Sequence, residues 1–264
     1  MSAEMEPSAV VAGAVRPGDA PLTGRAAVVS GASSGIGLAT ACLLHDLGAT
    51  VVGLARRAEA IEAGAGPERR ASGRLRAHAL DVSDADAVAA AMDAVVPADG
   101  LDLLVAAAGT NLPERRLEQL NTERWSTVVD TNLSGCFHLV SASLPALRAA
   151  RGLVILVGSV SGAWPDVSGP AYQAAKAGLV GFARAAGLEE RDHGVRFSVV
   201  APGVVDTPLL DRRPQPPPAA DRERMLRADD VAHLIGVLAQ LPARVHVPEL
   251  TVLPSELQVV GRTF

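Results

Sequence analysis

The chain has 264 residues and a mass of 27.0 kDa, a size that suits one α/β domain. Hydrophobic residues make up 48% of it and aromatic residues only 3%, so the core has to be built from aliphatic side chains. With a formal net charge of −5 and no cluster of arginines, the chain offers no basic patch for a phosphate backbone, and we expect no nucleic acid partner.

The two cysteines, Cys42 and Cys136, fall in stretches with a helical pattern. Neither they nor the histidines have metal-ligand spacing, so we expect buried apolar thiols in a reducing compartment and no metal site. No uncharged apolar run reaches the roughly 18–20 residues of a membrane span, and the N-terminus lacks a basic segment followed by an apolar one. These features predict a cytoplasmic protein without a membrane partner.

In chain order, residues 1–24 mix Pro, Gly, Ala and acidic residues without periodicity, and are predicted to be a mobile extension before a domain over 25–264. Short apolar runs then alternate with helical stretches. Seven runs predict strands, at 26–30, 49–55, 75–80, 101–107, 153–159, 195–201 and 249–254. Because these runs are nearly continuous in apolar residues, the sheet is expected to be covered on both faces. The predicted fold is a single doubly wound, Rossmann-like α/β domain with a seven-stranded parallel sheet and helices on both faces.

The proline-rich segment 206–222, "DTPLLDRRPQPPPAADR", interrupts this alternation. It is too polar and too rich in proline for core structure, so we predict a loop. Since ligands of such sheets bind at the carboxyl ends of the strands, a loop there could cover the site as a substrate lid.

A glycine-rich turn, "VVSGASSGIG" at 28–37, leads from the first strand directly into a helix. Gly31, Gly35 and Gly37 permit unusual φ values and a close approach of backbone to ligand, and the helix N-terminus supplies N–H groups for phosphate. The turn therefore indicates a nucleotide pyrophosphate site. The alternative is a tight turn without a ligand, which the strand-turn-helix context disfavours.

The end of the second strand reads Ala55-Arg56-Arg57. An acidic side chain at this position would hold the ribose 2′-OH of NAD, whereas arginine accommodates the 2′-phosphate of NADP. Two guanidiniums and no carboxylate therefore predict NADP(H) in preference to NAD(H). The alternative is that both arginines belong to a solvated helix start.

The segment "AYQAAKAG" at 171–178 contains the single tyrosine of the chain, Tyr172, and its single lysine, Lys176. Residues at i and i+4 share one face of a helix, so both side chains can project toward one bound molecule. An ammonium near a phenol favours the phenolate and brings its pKa toward the working range of a general acid/base. The alternative is a helix-surface pair, which is the common case for Tyr and Lys at this spacing.

The G-x-x-x-G-x-G turn resembles the TGxxxGIG turn of the short-chain dehydrogenase/reductase family, with Ser30 in place of the threonine. Five further segments carry the resemblance over nearly all of the chain beyond residue 24: "LDVSD" at 80–84, "TNLSG" at 131–135, "GSVSG" at 158–162, "YQAAK" at 172–176 and "APGVVDTP" at 201–208. The C-terminal segment "PELTVLPSELQVVGRTF" resembles NADP-linked members of the family, in agreement with Arg56.

The resemblance implies a catalytic set. Tyr172 would exchange a proton with the substrate oxygen, Lys176 would lower the pKa of Tyr172 and hold the nicotinamide ribose, and Ser159 would hydrogen-bond the substrate oxygen. Ser161 is the competing serine. Asn132 would anchor a water in a proton relay, the alternative being a polar residue inside a helix that bonds backbone.

The resemblance also implies the cofactor contacts. Asp81 would contact the adenine amino group, and the segment after the sixth strand would touch the nicotinamide end. The predicted cofactor-binding residues are Gly31, Ser33, Ser34, Ile36, Gly37, Arg56, Arg57, Asp81, Val82, Gly109, Tyr172, Lys176, Pro202, Val205 and Thr207. One departure bears on cofactor binding: Ala106 and Ala107 stand where the family usually has asparagines, which puts the rigidity of the central strands and the affinity for the cofactor in question.

The function implied is an NADP(H)-dependent oxidoreductase of the carbonyl reductase or ketoreductase type, which interconverts a ketone or aldehyde and an alcohol and forms a homodimer or homotetramer. The alternatives are a catalytically silent NADP(H)-binding sensor or scaffold, and a non-redox epimerase or dehydratase. Substrate contacts are expected from 110–116, 160–170 and 206–222, with Trp164 in an apolar pocket wall.

Overall fold

The computed structural model of the protein describes residues 20–97 and 99–257. Its strands are β1 (Ala26–Ser30), β2 (Thr50–Ala55), β3 (Leu75–Ala79), β4 (Leu103–Ala106), β5 (Leu153–Val157), β6 (Arg196–Pro202), β7 (Val205–Asp206), β8 (Leu226–Arg227) and β9 (Glu249–Val252). Its α-helices are α1 (Gly35–Asp46), α2 (Ala58–Ala71), α3 (Ala85–Val95), α4 (Thr122–Val129), α5 (Gly135–Ala150), α6 (Pro170–Glu189), α7 (Ala219–Arg222) and α8 (Ala228–Gln240).

The main sheet has seven parallel strands in the order β3-β2-β1-β4-β5-β6-β9. All seven predicted strands are present, and the predicted fold class is confirmed. The strand order reverses between β1 and β4, which is where a doubly wound sheet opens a crevice for ligands. The pair β7 and β8 forms a second small sheet that was not predicted, because a two-residue strand has no detectable period.

Alternate side chains of the strands pack against helices on opposite faces. One face, with Val29 and Ile155, is covered by α1, α2 and α8. The other, with Val28 and Leu104, is covered by α3, α5 and α6. Since both faces are buried, the central strands need apolar residues at most positions, which explains their nearly continuous hydrophobic runs, whereas the edge strands β3 and β9 are partly exposed.

The domain begins earlier than predicted. Residues 1–19 of the predicted extension lie outside the described residues, as do residues 258–264. Residues 20–24 pack on the domain, because the side chain of Leu22 is only 5% exposed and its N–H donates to the carbonyl of Leu47 at 2.8 Å. The apolar side chain therefore fixes the chain a few residues before β1.

The segment 206–222 also contains more structure than predicted. It forms a 3₁₀ turn over Pro208–Arg212 and the short helix α7, and Leu210 packs in a small apolar cluster with Met225 and Leu257. Pro208 is the first residue of the 3₁₀ turn, and the other four prolines lie in the irregular stretch between this turn and α7, where a missing N–H costs little. The segment remains a candidate lid, with an apolar cluster of its own.

Both cysteines are helical, Cys42 in α1 and Cys136 in α5. Among residues 20–97 and 99–257, no helix has the length and apolar character needed to cross a bilayer.

Candidate active site

A cavity of about 500 Å³ lies at the carboxyl ends of the strands. It contains the reversal between β1 and β4 and extends toward β5 and α6. Every residue predicted for cofactor binding lines this one cavity, and so does Ser159. The structure thus brings together residues that lie up to 176 positions apart, from Gly31 to Thr207.

The glycine-rich turn is shaped by close backbone packing. Gly31 and Gly35 have φ values of 69° and 53°, in the left-handed region that favours glycine. A Cβ on Gly31 would lie 2.7 Å from the carbonyl oxygen of Ala107, and a Cβ on Gly37 would collide with the carbonyl of Gly31. Helix α1 follows without a side-chain cap from Ser34, so its first N–H groups are available to a ligand.

Ser30 joins the glycine turn to the loop after β4. Its fully buried hydroxyl accepts hydrogen bonds from the N–H groups of Ala107 and Ala108, both at 3.1 Å. Ala106 and Ala107 have no side-chain amides, but this loop is tied to β1 through Ser30. The residue that stands for the family's threonine therefore supplies a link between the central strands.

The tip of β2 carries positive charge. Arg56 and Arg57 are exposed at the cavity rim, and the structure records no salt bridge for either within the part of the chain it describes. Asp81 lies beside them at the end of β3, and its Oδ1 accepts from the N–H and the hydroxyl of Ser83 at 3.0 and 2.7 Å. These bonds, with a smaller contribution from Arg56, hold the pKa of Asp81 below its usual value.

Tyr172 and Lys176 lie on the first two turns of α6. The Lys176 ammonium is buried, donates to the carbonyl of Val157 at 2.8 Å and lies 5.7 Å from the centre of the Tyr172 ring. The turn 160–162 packs against this part of α6 so closely that a Cβ on Gly162 would lie 2.7 Å from the carbonyl carbon of Lys176. The helix is therefore held firmly against the end of β5.

Burial raises the pKa of Tyr172 to about 12, and the Asp166 carboxylate acts in the same direction. Burial also lowers the pKa of Lys176. The predicted effect of Lys176 on the pKa of Tyr172 stays a prediction: the ammonium lies 5.7 Å from the ring centre and donates to the Val157 carbonyl. The groups that do lower it are Ser159, Arg213 and Arg115.

The two serines at the end of β5 have different surroundings. Ser159 Oγ donates to Ser161 Oγ at 3.1 Å and accepts from the N–H of Ser161 at 3.1 Å. Ser161 is 6% exposed, and its hydroxyl donates to Asp166 Oδ2 at 2.5 Å. The Ser161 hydroxyl is hydrogen-bonded to Asp166, whereas the Ser159 hydroxyl lowers the pKa of Tyr172. Ser159 is therefore favoured as the serine beside the phenol.

Asn132 lies behind the cavity and does not line it. It is fully buried in a π-helical turn, Asp130–Ser134, between α4 and α5. Its Nδ2 donates to the carbonyls of Thr110 and Val128, both at 2.8 Å, and its Oδ1 accepts from the N–H of Thr110 at 3.3 Å. The side-chain amide thus bonds backbone and holds the loop after β4, while the predicted role of Asn132 in anchoring a water stays a prediction.

The three segments expected to contact substrate all contribute to the cavity, through Arg115, Asp166 and Arg213. None of these residues was singled out from the sequence, because they are far apart in the chain and carry no motif. Trp164 was expected in the pocket wall, and this is wrong: its side chain is 42% exposed and lies outside the cavity lining.

The doubly wound sheet, the glycine-rich turn at its switch point and the Tyr/Lys helix beside it define a class of nicotinamide-dinucleotide-dependent dehydrogenases. The family model described as short chain dehydrogenase matches residues 25–217, so the chain belongs to this family. It is an enzyme, an oxidoreductase that uses a nicotinamide dinucleotide.

Three similar proteins illustrate the relationship. The cis-4-hydroxycyclohexanecarboxylate dehydrogenase of Sinomonas cyclohexanicum is 39% identical over 81% of this chain and 89% of its own length. The 3-oxoacyl-(acyl-carrier-protein) reductase FabG of Pseudomonas aeruginosa is 35% identical over 83% of this chain and 91% of its own. The crystal structure of a metagenomic short-chain oxidoreductase in complex with NADP is 36% identical, with a TM-score of 0.76, and covers 89% of this chain and 99% of that one.

Proposed function

We propose that the protein is an NADP(H)-dependent oxidoreductase that interconverts a ketone or aldehyde and an alcohol. The observation that carries this proposal is the placement of Tyr172 and Ser159 in the same cavity as the glycine-rich turn. A proton donor thereby shares one enclosed space with a dinucleotide site. The names of the relatives agree, one being a dehydrogenase of a hydroxy compound and another a reductase of 3-oxoacyl groups.

The preference for NADP(H) is supported by the charges at the tip of β2. Ala55 provides no carboxylate for a ribose 2′-OH, and Arg56 and Arg57 lie at the rim and form no salt bridge within residues 20–97 and 99–257. Guanidinium groups suit a 2′-phosphate because their planar N–H groups match its oxygens. The metagenomic relative was solved with NADP.

The cofactor, when bound, supplies or accepts the hydride. In reduction, Tyr172 gives its proton to the carbonyl oxygen, and Ser159 orients that oxygen through its hydroxyl. Since burial keeps the Tyr172 phenol protonated at neutral pH, the proton donor is ready for reduction, and oxidation requires it to be deprotonated first. Lys176, bonded to Val157, fixes the helix that presents Tyr172.

The test is the loss of reduced-nicotinamide absorbance with NADPH and, separately, NADH over a panel of ketones and aldehydes. We expect turnover with NADPH and a loss of about 10²–10⁴-fold in kcat in Tyr172→Phe, with NADPH affinity retained. Arg56→Gln should lower the affinity for NADPH much more than that for NADH. Arg70→Gln, on the exposed end of α2, should leave both affinities unchanged.

Two results would contradict the proposal. Tight NADPH binding without turnover in either direction would support the sensor or scaffold alternative. A product formed without net consumption of cofactor would support epimerisation or dehydration.

We also propose that the chain forms a homodimer or homotetramer. This is supported by exposed apolar side chains on two neighbouring helices, Phe137 on α5 (52% exposed) and Leu188 on α6 (66% exposed). Light scattering coupled to gel filtration measures the state directly, and a monomer at micromolar concentration would contradict the proposal.

A further inference from the structure

Two arginines line the cavity on the substrate side of Tyr172. Arg115, in the loop after β4, is 7% exposed, and Arg213, at the end of the turn 208–212, is half-buried. Neither forms a salt bridge with a carboxylate in the described ranges. Buried guanidiniums are normally paired with an anion, because transferring an isolated charge from water is costly.

Arg115 is held in place by neutral groups. Its Nε donates to the carbonyl of Leu112 at 2.8 Å and its Nη2 to the carbonyl of Arg212 at 2.9 Å. Within residues 20–97 and 99–257, the structure records no partner for Nη1. Gly169, with φ 86°, lets the backbone of Arg115 pack directly against the start of α6. The guanidinium is thus fixed in orientation while its charge is not balanced.

The one carboxylate of this region, Asp166, does not balance the two arginines. Its Oδ2 accepts from Ser161 Oγ at 2.5 Å and its Oδ1 from the N–H of Ser168 at 2.8 Å. Burial is the main cause that lowers the pKa of Arg115 and of Arg213, and repulsion by Arg213 lowers that of Arg115 further; the Asp166 carboxylate acts in the opposite direction on both but does not outweigh burial. One carboxylate against two guanidiniums leaves an excess positive charge on this side of the cavity.

We propose that Arg115 and Arg213 form an anion subsite, and that the substrate carries a carboxylate or a chemically similar anionic group that this subsite binds while its carbonyl or hydroxyl faces Tyr172. This inference rests on the proposed function for the position of the reacting carbon. Both guanidiniums line the same cavity as Tyr172 and act electrostatically on its phenol, so one substrate molecule can reach the subsite and the phenol together. The substrate class is therefore a small oxo acid and the corresponding hydroxy acid.

Binding tests the subsite without turnover. The enzyme loaded with NADP⁺ is titrated calorimetrically with two acid and amide pairs: cyclohexanecarboxylate with cyclohexanecarboxamide, and butanoate with butanamide. Each pair has nearly the same shape and differs in charge. We expect the acid of at least one pair to bind about 10-fold or more tightly than its amide, because hydrogen bonds to charged groups are the stronger ones.

Arg213→Gln should lower the affinity for the acid by about 10- to 100-fold and change the affinity for the amide by no more than about twofold. Arg213→Lys, which keeps the charge but not the planar fork, should lie between the two. Arg191→Gln removes an exposed arginine outside the cavity and serves as the matched control. Arg213 is tested first because Arg115 also holds two backbone carbonyls, and Arg115→Gln serves as the second variant with thermal unfolding to verify that it folds.

An acid that binds no better than its amide in both pairs, including the case in which neither binds, overturns the anion subsite. Turnover of 4-oxocyclohexanecarboxylate and 4-oxocyclohexanecarboxamide with NADPH separates this from the proposed function. Equal turnover of the two ketones keeps the reductase and refutes the subsite. Acid binding that depends on Arg213, with no ketone or aldehyde reduced, keeps the subsite and refutes the reductase.

Discussion

Replacing Gly31 by alanine tests whether close backbone packing forms the dinucleotide turn. The new Cβ would lie 2.7 Å from the Ala107 oxygen and 2.8 Å from the Ala108 Cα, whereas ordinary contacts begin at 3.4 Å. These neighbours are backbone atoms of the loop after β4, so the turn or the loop has to move by more than half an ångström. Alanine at φ 69° adds strain of about 1–2 kcal/mol.

The magnitude follows from adding a packing cost of about 1–3 kcal/mol to that strain. Gly73→Ala provides a matched control, since Gly73 has φ 68° but no atom within 4 Å of a Cβ. The Gly73→Ala variant therefore has the backbone strain without the packing cost. We therefore expect Gly31→Ala to lower the free energy of unfolding by about 2–5 kcal/mol and Gly73→Ala by about 1–2 kcal/mol.

Urea denaturation of both variants measures this difference, and quenching of tryptophan fluorescence measures NADPH affinity. We expect NADPH affinity to fall by about 10-fold or more in Gly31→Ala, because the phosphate-binding turn is displaced, and to stay unchanged in Gly73→Ala. If the two variants lose equal stability and bind NADPH equally, the turn is not set by contact with the loop after β4, and the reasoning is wrong.

Three further outcomes are expected. Arg213→Gln should move the pH profile of kcat/KM for alcohol oxidation to higher pH, because Arg213 lowers the pKa of Tyr172 and its loss raises that pKa; an unchanged profile would refute this. Arg148 donates to Glu190 at 2.7 and 2.6 Å and holds its pKa below the usual value, so this pair contributes stability above the unfolded pKa that is lost as pH falls through the folded one. Urea denaturation from about pH 3 to 6 should show a weaker pH dependence in Arg148→Met. Ser30→Ala leaves two backbone N–H groups without their acceptor and should cost about 1–3 kcal/mol in thermal unfolding, whereas Ser30→Thr should cost much less.

The fold was predictable because burial of both sheet faces requires hydrophobic runs that can be recognised in the sequence. β5 is apolar at every position and β1 at all but its last, Ser30, and the turns between elements are marked by glycine. The small sheet of β7 and β8 has strands of only two residues, which are too short to give a recognisable sequence pattern. Leu22 also illustrates the limit, since one apolar residue in a proline-rich stretch does not reveal that it is buried.

The cofactor side of the site was predictable from motifs because its residues act in short, fixed spacings. The substrate side was not, since Arg115 and Arg213 meet only through the packing of two loops. Asn132 shows a third case: its position in a motif was visible, but its hydrogen-bond partners depend on a π-helical turn that spacing alone does not predict.

Arg222 gives the segment 206–222 a mechanical property. Its guanidinium, at the end of the segment, donates to Asp206 at 3.0 Å and also to Asp211. One side chain thereby joins the two ends and the middle of the segment, which reduces the number of independent ways in which it can bend. Arg213 lies inside this braced segment, so any displacement of the segment would carry the guanidinium proposed to bind the substrate anion with it.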